Sequence, residues 1–146
     1  MYIVRQQKME KQKVIAIDFD GTIVEDRYPE IGKPKMFAFQ TLKALQQKGF
    51  LLILWTCREG KSLDAAVDLC KANGVEFYAV NENYPGESKD GVVIRKLTAD
   101  LFIDDRNFGG LPGWGEIYQF LCPEDGSNVN ISSKNEQKGL WQKLFK

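Results

Sequence analysis

The chain has 146 residues, 43% of them apolar and 27% charged, an ordinary make-up for one globular domain and too little for two. Lys plus Arg (20) balances Asp plus Glu (20), so no net field draws it to a polynucleotide or an anionic membrane, and neither is an expected partner. It has no histidine, which excludes Ser-His-Asp and Cys-His hydrolases and any His-ligated metal; acid–base chemistry falls to carboxylates, Lys or Tyr.

In chain order, residues 1–12 are polar and form a frayed lead-in, with a short edge strand expected at Tyr2 to Val4 and no signal-peptide core. Val14-Ile-Ala-Ile17 reads as a strand buried on both faces, the pattern of a parallel sheet. It ends on Asp18, with Asp20, Gly21 and Thr22 close behind, and a loop follows over residues 21–34. Pro34 suits the first turn of a helix running to about Lys48, with Ala38, Leu42 and Leu45 on one face and Gly49 as the stop. Phe50 to Trp55 is a second buried strand, far too short to span a bilayer, and it ends on Thr56. Ser62 is a helix N-cap, the helix reaching Asn73. Val75 to Val80 gives a third strand, and Val92 to Ile94 a small hairpin arm. Leu101 to Ile103 is a fourth strand, ending on Asp104 and Asp105. Trp114 to Leu121 is a helix, and residues 123–146 form a polar tail with an amphipathic turn at Leu140 to Phe145. Cys57, Cys70 and Cys122, odd in number and without a C-x-x-C, read as reduced thiols of a cytoplasmic protein.

Strands alternating with helices predict an α/β fold: one Rossmann-like domain over residues 13–122, a parallel sheet flanked by helices. Three apolar runs end on polar groups, at Asp18, Thr56 and Asp104-Asp105. In a parallel sheet these ends share one edge, where open α/β sheets bind ligands. Close carboxylates repel unless a cation lies between them, and Mg²⁺, a hard ion held by carboxylate and phosphate oxygens, suits such a site. An ionised Asp can also attack phosphorus.

Asp18-Phe-Asp-Gly-Thr22 after an apolar strand, Thr56 closing the second strand, a Lys before the fourth, and Asp104-Asp105 closing it resemble, in order, the four motifs of the haloacid dehalogenase-like (HAD) phosphohydrolases. The resemblance implies Asp18 as nucleophile, Asp20 as general acid/base, and Thr56 with the N–H groups around Cys57 as phosphoryl-binding groups. It implies Mg²⁺ on Asp18, the carbonyl of Asp20 and Asp105, with Asp104 bonded to the motif lysine or a metal-bound water. Lys96, favoured by spacing over Lys89, is the motif lysine. Many relatives carry a further Asp four residues on, where this chain has Phe108 and Gly109. Arg58 is placed to reach a substrate phosphate, and Asn81, Asn83 and Arg106 share the edge. Trp55, Phe77 and Phe102 read as core.

Neither residues 21–34 nor 81–95 can hold a cap domain, so the resemblance is to a capless phosphatase. Its open site would be covered by a bulky phosphorylated substrate or by a second protomer of a homo-oligomer. Two alternatives stay open: a receiver-like signalling domain, whose acidic pair would follow the first strand, and a catalytically silent Mg²⁺- and phosphate-binding module.

Overall fold

The computed structural model describes residues 11–91, 93 and 96–126. The described residues divide into two compact units, one ending at Leu111 and one beginning at Pro112. The first carries a four-stranded, all-parallel sheet in the order β3-β2-β1-β4: β1 Val14–Ile17, β2 Leu51–Leu54, β3 Ala79–Val80 and β4 Leu101–Ile103. Two helices, α1 (Ala38–Gln47) and α2 (Gly60–Ala72), make the connections from β1 to β2 and from β2 to β3. This is the expected α/β architecture.

The register follows from side-chain alternation. Ala16 lies opposite Ile53 and Phe102, and Ile53 opposite Ala79, so one face of the sheet presents a continuous apolar row. Leu97, Trp55, Ala99 and Val14 pack against that row. Ile15, Ile17, Leu52 and Leu54 alternate to the other face and are buried as well. Both faces are therefore dry, as the unbroken apolar runs require.

Several boundaries differ from the sequence reading. Pro34 is not in a helix. Val24 bridges Pro34, the Glu25 N–H donates to Lys33 O and the Lys35 N–H to Ile23 O, so the segment pairs backward as a short hairpin. The helix starts only at Ala38, after Phe37 has taken a left-handed conformation (φ 64°). Ser62 lies inside the first turn of α2, its hydroxyl donating to Glu59 O at 2.8 Å, and Glu59 takes the N-cap position. The third strand keeps only Ala79 and Val80. The Val75 N–H is spent on Cys70 O at the end of α2, so pairing with β2 begins at the Tyr78 N–H. Residues 87–90 form a 3₁₀ turn, while the hairpin arm proposed at Val92 to Ile94 falls outside the described residues except for Val93. Tyr2 to Val4 and Leu140 to Phe145 also lie outside them.

In the second unit, α3 (Trp114–Leu121) has the predicted bounds and is followed by a 3₁₀ turn at Pro123–Gly126, where the Tyr118 hydroxyl donates to Asp125. Among the described residues no helix is long and apolar enough to cross a membrane.

Candidate active site

Because β4 lies beside β1 in parallel, with Ile103 opposite Ile17, the residues that leave these strands emerge side by side. Asp18 thus meets Asp104 and Asp105, 86 and 87 positions away. One carboxylate oxygen from each lies within 4.8 Å of the others. The local backbone explains how. The Asp18 N–H extends the ladder to Ile103 O at 3.0 Å, and a helical turn then forms as the N–H groups of Thr22, Ile23 and Val24 point back to Phe19 O. That turn buries Thr22 against the acids. Its hydroxyl donates to Asp18 Oδ2 at 2.9 Å and accepts the Asp105 N–H at 3.0 Å, tying the end of β1 to the end of β4.

Gly21 is required twice in this turn. Its φ is +82°, and a Cβ there would lie 2.2 Å from Asp105 Oδ2. The glycine therefore makes room for the carboxylate as well as for the backbone.

Three carboxylates this close repel one another. Burial pushes the Asp18 carboxyl up to about 7; the Asp104 charge and a carboxyl–carboxylate hydrogen bond with Asp105 push the same way, and the Thr22 hydroxyl opposes them. The donors are all carboxylate oxygens, which suits Mg²⁺ or Mn²⁺ and offers nothing to a soft metal. The Asp cluster can bind a metal ion.

Asp20 lies apart from this cluster. Both its oxygens accept from Arg58, Nε to Oδ2 and Nη2 to Oδ1, each at 2.7 Å. Arg58 is 1% exposed, and its other N–H groups reach Pro29 O (3.1 Å), Ser62 O (3.3 Å) and Glu30 O (2.7 Å). All five donors are used, the strongest arrangement a guanidinium makes. Its Cζ also lies 5.1 Å from the ring centroid of Phe19 and 5.2 Å from that of Tyr28. Here the expectation for Arg58 needs correction. Buried and fully bonded, it does not reach a substrate phosphate but joins Asp20, the 29–30 loop and the first turn of α2.

Thr56 follows β2 on the same edge. Its N–H donates to Asn81 Oδ1 at 2.8 Å and its hydroxyl accepts the Arg58 N–H at 3.2 Å, which leaves the hydroxyl hydrogen for an incoming oxygen. Cys57 is exposed beside it. Asn83 serves the loop, bonding Glu87 and accepting the Thr98 N–H at 2.6 Å. Asp104 accepts the Arg106 N–H at 2.8 Å. Among the described residues neither Lys89 nor Lys96 forms an ion pair with the acids. Both are exposed, and the Lys96 ammonium lies 5.8 Å from the centroid of the Phe102 ring. The structure thus brings together Asp18, Asp104, Asp105 and Thr22, and joins Asp20 to Arg58.

Two features escaped the sequence reading. Thr22 was legible only as a turn cap, although its place four residues after Asp18 was a usable signal. The Asp20–Arg58 pair had none.

No protein-family model and no curated protein matches the chain. Among solved structures it is similar to a conserved protein of Bacteroides thetaiotaomicron, at 56% identity and a TM-score of 0.72, over 78% of this chain and 93% of that one.

Proposed function

The chain belongs to the family of that conserved Bacteroides thetaiotaomicron protein, and from the acids at its sheet edge we propose that it is a Mg²⁺-dependent phosphomonoester hydrolase of the HAD-like type. The observation that carries this reading is the convergence of Asp18, Asp104 and Asp105 at the ends of two adjacent parallel strands, tied by the buried Thr22. Packing gives no reason to gather three carboxylates at one point, whereas phosphoryl transfer does.

Asp18, Asp104 and Asp105 would hold Mg²⁺ with the backbone carbonyl of Asp20; when bound, the ion offsets the carboxylate charge and polarises a phosphoryl oxygen. Asp18 attacks phosphorus in line, the bond from phosphorus to the leaving oxygen breaks, and an aspartyl-phosphate forms. The Thr22 hydroxyl holds the other Asp18 oxygen, so the attacking one keeps its direction. Thr56 donates its hydroxyl to a phosphoryl oxygen, and Lys96, on the resemblance, would swing in to neutralise charge. Asp20, entering the reaction protonated on a lone pair that Arg58 leaves free, gives that proton to the leaving oxygen, and the resulting carboxylate takes one back from the water that hydrolyses the intermediate. Each Asp20 oxygen, with one lone pair given to Arg58, retains another for that water. The substrate is a phosphorylated small molecule or macromolecule.

The test is phosphate release from a panel of phosphomonoesters with Mg²⁺ and with EDTA, alongside beryllofluoride binding. We expect Mg²⁺-dependent turnover, a loss of several orders of magnitude in Asp18→Asn, and an adduct on Asp18. Turnover indifferent to EDTA would refute the metal. An adduct on Asp104 or Asp105 would favour the receiver-like alternative, and an Asp18 adduct without turnover the silent module.

A further inference from the structure

The second ring beside Arg58 has no evident structural task. Phe19 is fully buried, but Tyr28, held by the same guanidinium, is 60% exposed. With all five of its donors satisfied, Arg58 needs no aromatic neighbour for its own sake. The backbone around Tyr28 is tied down: the two residues after it are bonded through their carbonyls to Arg58 at 3.1 and 2.7 Å, and its N–H donates to Asp26 Oδ1 at 3.3 Å. Its hydroxyl has no hydrogen bond among the described residues.

One rigid, buried group therefore connects an exposed aromatic ring to Asp20. In the proposed reaction Asp20 serves the leaving oxygen, and the exposed ring is one guanidinium removed from it. We infer that Tyr28 is a substrate-contacting residue, its ring seating a planar leaving group, and that the preferred substrates are phosphomonoesters of flat, apolar alcohols. A tyrosine ring has only two torsions to freeze and so loses little freedom when it stacks.

This rests on the phosphatase reading, and the test separates the two. The full chain with Mg²⁺, as wild type, Tyr28→Phe and Tyr28→Ala, is assayed on acetyl phosphate, naphthylmethyl phosphate and butyl phosphate. The last two leave as primary alkoxides but differ in planarity. In Tyr28→Ala the ratio of kcat/KM for naphthylmethyl over butyl phosphate should fall about tenfold, chiefly through KM, the scale of one ring–ring contact with its buried area. Tyr28→Phe should keep the ratio. A ratio unmoved in Tyr28→Ala, or both substrates losing equally, overturns the inference while acetyl phosphate turnover leaves the phosphatase reading standing. A wild-type protein that takes no phosphoryl group even from acetyl phosphate overturns both.

Discussion

Replacing Asp18 by Asn should stabilise the metal-free protein, although it removes the proposed nucleophile. Burial, with Asp104 and Asp105 nearby, raises the Asp18 carboxyl from 3.8 to about 7. Between those values the folded protein holds a proton that the unfolded chain has released. Stability therefore falls as pH rises through that window, and the cost is complete above pH 7. About three units at 1.36 kcal/mol each sets a ceiling near 4 kcal/mol. Asp18 is only partly buried, and solvent screening reduces this to about 1–2 kcal/mol. Asn keeps an oxygen for the Thr22 hydroxyl and gains an N–H for the neighbouring carboxylates. For a chain of 146 residues the gain is a rise in Tm of about 3–7 °C. Thermal melts in EDTA at pH 8 and pH 4 measure it: the variant should melt higher at pH 8, and the gap should nearly close at pH 4, where Asp18 is protonated in the folded state and the pH is close to its unfolded value of 3.8. Mg²⁺ at pH 8 should raise the wild type and close the gap from the other side. A variant no more stable than wild type at pH 8 in EDTA, or a gap as large at pH 4, would refute the reasoning.

Other outcomes follow from the same geometry. Arg58→Met leaves Asp20 unpaired and takes the donor from the carbonyls of Pro29 and Glu30, so urea denaturation should show a loss of about 3–5 kcal/mol, with Arg58→Lys intermediate. Gly21→Ala drives a methyl into Asp105 at a φ that alanine tolerates poorly. It should lower Tm and abolish stabilisation by Mg²⁺ in the same melts. Of the three thiols only Cys57 is exposed, and burial pushes Cys70 up to about 12, so a disulfide reagent should label Cys57 in seconds and the other two only on unfolding.

The apolar runs at Val14–Ile17, Leu51–Leu54 and Leu101–Ile103 were legible as strands because burial on both faces leaves no other pattern, and their parallel order follows from the helices between them. The acids were legible for a related reason. A charged residue that stops an apolar run must stand at the strand's mouth, and in a parallel sheet that puts Asp18 and Asp104-Asp105 on one edge. Boundaries fared less well where a backbone group had two possible partners. Pro34 carries a helix-start signal but pairs with Val24, and Val75 carries a strand signal but its N–H closes α2. Only the tertiary structure decided what Arg58 does. In sequence it is a cation after a strand, indistinguishable from a phosphate ligand. In space, five donors find Asp20, Pro29, Glu30 and Ser62, residues spread over more than forty positions. Periodicity reports which face of its own element a residue occupies. It carries no information on which distant carboxylate or carbonyl will meet that residue once the sheet is assembled, and that meeting sets both the place of Asp20 and the exposure of Tyr28.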